Sequence, residues 1–148
     1  MFRGATKLSM DAKGRLIVPA KHRDALLAES AGNVVLTAHK HGCLVLYPQL
    51  AWEPVQAKLM ALSSFDKVSA SLQRLMVGHA EDITLDTTGR LLVSPVLRSF
   101  AGFEKDVMFV GQGSHFELWS IEAWSKQLEI VTHDDEIVMP AELEGFSL

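Results

Sequence analysis

Apolar and polar residues alternate in two short stretches of this chain, and each stretch runs into the same turn. Ser9 separates Leu8 from Met10 ahead of Asp11, and Thr84 separates Ile83 from Leu85 ahead of Asp86. A period of two predicts short strands. The chain then reads Asp-x-x-Gly at 11–14 and at 86–89. In such a turn Asp bonds the backbone ahead of it, and Gly takes a positive φ at no steric cost. "RLIV" at 15–18 and "RLLV" at 90–93 return as second strands, so each Asp-x-x-Gly-Arg motif is expected at the tip of a β-hairpin.

A short helix is predicted after each hairpin. Pro19 opens the first, with Gly32 just beyond its end; Ser94 caps the second, Pro95 takes its first position and Gly102 ends it. Further strand pairs follow, Val34–Thr37 with Cys43–Tyr47 and Val107–Val110 with Phe116–Trp119. Amphipathic helices close both stretches. Trp52, Val55, Leu59 and Leu62 recur at helical spacing, and so do Ile121, Trp124, Leu128 and Val131. Between the two stretches another helix would carry Phe65, Val68, Leu72, Leu75 and Met76 on one face, with Ser63 or Ser64 as its cap.

The whole order of elements therefore recurs. Aligning Asp11 with Asp86 sets residues 8–23 against 83–98, and the match resumes between 34–52 and 107–124, ending in Ala51-Trp52 and Ala123-Trp124. This pattern predicts a tandem duplication: one repeat over 5–52, a helical spacer over 53–80, a second repeat over 81–124, and a C-terminal helix end and acidic tail over 125–148. Each repeat has about 45 residues, close to the size below which a lone core rarely stabilises a fold. The repeats are expected to pack on each other and share one small barrel, in a mixed α/β fold that is mainly β. From His133 onward the tail holds five acids and neither Lys nor Arg, and is expected to be loosely ordered.

Composition narrows the class. Hydrophobic residues make up 48% of the chain, enough for a core, and no apolar run approaches the roughly 18–20 residues of a membrane span. The first residues, "MFRGATKLSMDAKGR", hold no signal-peptide core, and a single cysteine, Cys43, fits a reducing compartment. The expectation is a cytoplasmic globular protein with no membrane partner. Charge changes the picture further. Residues 1–23 set six cations against Asp11, a net +5, which leaves −9 for the rest of a chain whose total is −4. Such asymmetry steers polyanions to one face, although clustering on a solvated surface would look the same.

Catalytic chemistry finds little support. His39 and His41 are the only close histidine pair and fall at a predicted hairpin tip, where the aligned residues are Gly111 and Gly113. Cys43 aligns with His115 in a strand and reads as a small core residue. There is no phosphate-binding glycine loop, nucleophile elbow or spaced Cys/His cluster. No catalytic residue, metal, cofactor or small-molecule substrate is expected.

The repeated Asp-x-x-Gly-Arg remains. Asp11 could simply pair with Arg15 and Asp86 with Arg90, but exposed pairs add little stability. The other reading uses the planar donor fork of Arg, which matches phosphate or the O6/N7 edge of guanine. On that reading Arg15, Lys13, Arg3, Lys7 and Arg23 are the candidate DNA contacts of the first copy, with Lys21 nearby. Arg90 is the weaker candidate of the second, whose neighbours are Arg98, Thr87 and Thr88. Asp11, Gly14, Asp86 and Gly89 shape the hairpins.

The start "MFRGA", the paired D-x-x-G-R motifs, "LLVSPVLR", "VGHAEDITLD" and "FELWS" together resemble the MraZ family over essentially the whole chain. The resemblance implies an AbrB-like swapped-hairpin β-barrel with both halves in one chain and flanking amphipathic helices. It also implies a bacterial, nucleoid-associated regulator that binds double-stranded DNA. Such a protein represses its own promoter and a cell-division and cell-wall gene cluster through closely repeated short elements, as a ring-like homo-oligomer. The family's signature falls on Asp11, Arg15, Asp86 and Arg90. Two other classes remain open: an AbrB-like antitoxin, which would need a hydrophobic toxin-wrapping tail, and a ring scaffold that binds only proteins. A mobility shift with the chain's own upstream DNA separates both from a regulator.

Overall fold

The computed structural model describes residues 1–133 and 138–148. Strands β1 (Ala5–Ser9), β2 (Arg15–Ile17), β3 (Asn33–Ala38) and β4 (Leu44–Pro48) alternate with helices α1 (Ala20–Ser30) and α2 (Gln49–Met60). After α3 (Lys67–Met76) the order recurs: β5 (Glu81–Thr84), β6 (Arg90–Leu92), α4 (Pro95–Ala101), β7 (Asp106–Gly111), β8 (Phe116–Ser120) and α5 (Ile121–Thr132). A 3-10 turn at Ala141–Leu143 follows.

The strands form two antiparallel sheets. Six line up as β1-β7-β8-β4-β3-β5, and β2 pairs with β6 as a separate ribbon. Exchanging β1–β4 for β5–β8 leaves that order unchanged, so the sheet has an approximate two-fold arrangement. Outer strands cross between halves: Ser9 stands opposite Asp106 and Thr84 opposite Asn33. The corresponding side-chain bonds are Ser9 Oγ to Asp106 Oδ1 at 2.7 Å and Thr84 Oγ1 to Asn33 Oδ1 at 2.9 Å. Val45 opposite Glu117 marks the centre of the sheet, and Leu16 opposite Leu91 the centre of the ribbon.

Two expectations are corrected by this topology. The strands on either side of each Asp-x-x-Gly turn do not pair with each other, so the motifs are turns between sheets and not hairpin tips. The six-stranded sheet is open, with β1 and β5 at its edges, and no closed barrel forms among the described residues. The physical reason is common to both. Leu16, Val18, Leu91 and Val93 are at most 1% exposed. The ribbon seals the core by laying this apolar row against Phe109, Phe116 and Leu36 rather than by extending the sheet. Mixed α/β architecture with a mainly antiparallel sheet is what the alternation pattern indicated.

Helix boundaries follow local chemistry. Ser94 accepts from the Leu97 N–H, Pro95 starts α4, and Gly102 ends it at φ 68. The spacer helix differs from expectation. Asp66 caps α3 by accepting from Ser69 N at 2.9 Å, so Ser63 and Ser64 lie outside it, as does Phe65, which is fully exposed with Val68 also mostly exposed. Trp52 and Leu59 of α2 are buried against Val35, Val45 and Met76, but Leu62 falls beyond the helix and is exposed. α5 buries no residue: Trp124 packs beside Trp119 and Cys43, while Leu128 and Val131 face solvent. Of the expected acidic tail, residues 134–137 lie outside the described residues.

Candidate nucleic-acid interface

Asp11 organises the first turn by accepting four hydrogen bonds. Its Oδ1 accepts from Lys13 N and Arg15 N, both at 2.9 Å, and its Oδ2 accepts from Arg15 Nε at 2.7 Å. The Gly14 N–H donates to the Asp11 carbonyl at 3.0 Å, closing a tight turn with Gly14 at φ 81. The second turn repeats this design more loosely. Arg90 N donates to Asp86 Oδ1 at 3.3 Å, Arg90 Nε to Oδ2 at 2.9 Å, and Arg90 Nη2 lies 2.8 Å from the same oxygen. Backbone and side-chain donors from Arg15 hold the Asp11 carboxyl below its ordinary range, and the Arg90 side chain, then its backbone, does the same for Asp86. Both carboxylates are ionised struts. Both arginines are anchored through an Nε hydrogen bond, and in Arg90 the Nη2 is also drawn to within 2.8 Å of the carboxylate.

The two arginines share one surface. β2 and β6 are antiparallel, with Arg15 opposite Leu92 and Ile17 opposite Arg90. Leu16 and Leu91 point into the core, so Arg15, Ile17, Arg90 and Leu92 face outward from the ribbon. Diagonal neighbours across such a pair lie about 7–8 Å apart. The repeated motif therefore builds one outward face with two guanidiniums and two exposed aliphatic side chains.

Each turn is also locked by the other half of the chain. Val93 N donates to the Gly14 carbonyl and Val18 N to the Gly89 carbonyl, both at 2.9 Å. The guanidinium of Arg98 packs on Gly14, where an added Cβ would meet its Cζ at 2.9 Å, and Arg23 packs likewise on Gly89. Arg23 Nη1 donates to the Thr87 carbonyl at 3.4 Å and Nη2 to the Val18 carbonyl at 3.2 Å. Sequence proximity had grouped Arg23 with the first turn and Arg98 with the second. The exchange of halves reverses that grouping. Lys13 is exposed on the first turn and Lys7 on β1, opposite Met108. Arg3 sits beyond the far end of β1, next to the Phe2–Gly113 bridge, away from Arg15.

Ile17 and Leu92 did not stand out in the sequence, and Arg98 stood out only as a neighbour of Arg90. The first two are part of aliphatic runs whose facing depends on register, and Arg98 gains its place only through the crossing. Elsewhere, His39 and His41 stack edge to face at 4.7 Å, and no three His, Cys, Asp or Glu side chains converge on a metal position among the described residues. Cys43 is fully buried, which pushes its thiol up to about 12. No described helix is long and apolar enough to cross a membrane.

A family model described as "MraZ protein, putative antitoxin-like" matches the chain twice, over residues 1–75 and 76–139. The chain belongs to the MraZ family. Proteins named "Transcriptional regulator MraZ" align with it end to end: that of Methylobacillus flagellatus is 72% identical over 148 residues, and that of Nitrosomonas europaea 49% identical over 148, each covering 100% of both chains. The Nitrosospira multiformis protein of the same name is 52% identical over 149 residues, again covering both chains fully. Membership in the MraZ family thus rests on the full length, including the ribbon and both turns.

Proposed function

We propose that the protein is a sequence-specific DNA-binding transcription regulator whose β2–β6 ribbon reads short promoter elements. One observation carries this reading: both Asp-x-x-Gly-Arg motifs deliver their arginines to the same exposed ribbon face. A two-stranded ribbon fits the major groove, where Arg can grip guanine and aliphatic side chains can meet thymine methyls. Arg15, aided by Lys13, is the leading contact and Arg90 the second. Lys7, exposed on β1, would contact the DNA backbone, and Arg3 would serve only a longer footprint. The names of the relatives support regulation of transcription, and the family resemblance supports repression of its own promoter, a cell-division and cell-wall gene cluster, a cytoplasmic and nucleoid location, and a ring-like homo-oligomer.

On this reading the sequence divides into AbrB-like repeats at 5–52 and 81–124 with a helical spacer, and the exchanged strands make the two repeats one reading head. The antitoxin alternative draws on the family description and on the exposed Val138, Phe146 and Leu148 near the C-terminus. A mobility shift with a duplex from immediately upstream of the chain's own coding sequence, beside a scrambled duplex of equal composition, tests the proposal. Selective retardation of the upstream duplex is expected; equal affinity for both duplexes, or none for either, would remove it.

A further inference from the structure

Arg23 and Arg98 occupy corresponding places, yet their donors are disposed differently. Arg23 is tied to two carbonyls, those of Thr87 and Val18. The Nε of each is buried without an acceptor, but Arg98 forms no ion pair among the described residues and its Nη groups have no protein acceptor there. Its orientation is nevertheless fixed. Cζ, Nε and Nη1 lie 2.9, 2.9 and 3.1 Å from the Cβ position of Gly14, so the guanidinium lies face-on against the turn.

We propose that Arg98 is a phosphate-contacting residue of the first turn, supplied from the opposite half of the chain. The inference rests on the DNA-binding reading above and adds a residue that the sequence assigned to the other turn. Lys13, Arg15 and Arg98 set three cations against the single carboxylate of Asp11. Placing a third cation there is repulsive. A bound phosphate relieves the repulsion and takes up the unused Nη donors, for which a guanidinium fork is well shaped. The second turn has only Arg90 and an Arg23 whose Nη donors are engaged. Its role is to hold the turn. The first turn is thus the stronger anion site because of a residue 84 positions beyond Gly14.

Salt dependence of binding to a labelled upstream duplex tests this with the full chain. Each phosphate contact contributes about 0.9 to the slope of log affinity against log salt. Arg98→Ala should weaken binding and lower that slope by about one, so that a fourfold rise in salt costs roughly three- to fourfold less affinity than in the parent protein. Arg98→Lys should keep the slope, and amide exchange at Gly14 should be unchanged in both variants. An unaltered slope in Arg98→Ala, or a slope in Arg98→Lys as low as in Arg98→Ala, overturns the proposal. If Arg15→Ala also fails to weaken binding, it is the ribbon reading itself that has failed; if Arg15→Ala weakens binding while Arg98→Ala does not, only the role of Arg98 is lost.

Discussion

Val93 donates its N–H to the carbonyl of Gly14 at 2.9 Å, tying the end of one ribbon strand to the turn that precedes the other. Gly14 is required there twice over. Its φ of 81 is costly for any L-residue, and an added methyl would press on the Arg98 guanidinium. Gly102, at φ 68 with open space around it, meets only the first requirement. Gly102→Ala should cost roughly 1–2 kcal/mol, the usual penalty of a left-handed alanine. Gly14→Ala should cost about 1–3 kcal/mol more, because packed atoms must also move. Urea denaturation of both variants measures the difference, and equal losses would show that Arg98 yields freely.

Arg15 and Arg90 are equivalent in sequence but not in engagement. Both are held by Nε, but Arg90 also brings Nη2 to within 2.8 Å of Asp86. Arg15→Ala should therefore cost the larger part of DNA affinity, about 1–3 kcal/mol for one bidentate contact, and Arg90→Ala less. Both side chains are well exposed, so the denaturation midpoint should stay near that of the parent. Titrating labelled duplex with each variant ranks them; Arg90→Ala as the more damaging change would reverse the assignment.

Leu16 and Leu91 face each other at the centre of the ribbon and are at most 1% exposed. Leu16→Ala should cost roughly 2–5 kcal/mol, as other buried leucines do. Because this pair supports both ends of the ribbon, amide exchange should accelerate at Gly14 and at Gly89 together. Acceleration confined to one turn would mean the turns are held separately.

A pH dependence follows from His22. Its ring is 7% exposed and packs against Phe2, Phe109 and Phe116, and this burial, with Lys21 adding to it, lowers its pKa below the ordinary histidine value of 6.5. The unfolded chain binds the proton more readily than the folded one. Stability from this group is therefore complete above pH 6.5 and declines as pH falls through the window between 6.5 and the lower folded value. Comparing stability at neutral and mildly acidic pH, His22→Phe should lose less on acidification than the parent. An equal loss would place the sensitivity at His39 or His115, whose pKa values burial also lowers.

Local chemistry made most of the elements legible. Asp11 and Asp86 announce turns, Ser94-Pro95 a helix start and Gly102 its end, and each does so through bonds to its own backbone. What the sequence concealed depends on partners far along the chain. Alternation shows that Leu16 and Leu91 face inward, but not that their strands pair with each other rather than with β1 and β5. A hairpin and an exchanged pair have the same pattern of polar and apolar residues. The exchange then decides the candidate site, since it puts Arg15 and Arg90 on one face and carries Arg98 to Gly14. Phe65 fails for a different reason: helical spacing includes it, but Asp66 captures the cap and α3 starts only at Lys67, two residues beyond Phe65.

The size of the reading face sets the last expectation. Two arginines about 7–8 Å apart span little more than two steps of a duplex that rises 3.4 Å per base pair. At roughly 1–3 kcal/mol per base pair read, one such face cannot compete with a genome of nonspecific sites. Several linked faces can, because avidity adds about 10²–10⁴ in affinity without new contacts. The working species should then be an oligomer whose ribbons engage successive copies of one short element. Trp52 is part of the core and unavailable for assembly, but Met60, Leu62, Phe65 and Val68 form an exposed apolar stretch from the end of α2 to the start of α3 that suits a subunit contact. For neighbouring ribbons to meet the same side of the duplex, element copies should recur about every 10–10.5 base pairs. Inserting about half a helical turn of DNA between two copies should abolish tight binding, and a full turn should restore it at least in part. Sedimentation of Phe65→Asp should show a smaller species with the same weak affinity for a single element. Indifference to spacing, or tight binding of one element by a monomer, would leave the small ribbon face sufficient by itself and end the case for assembly.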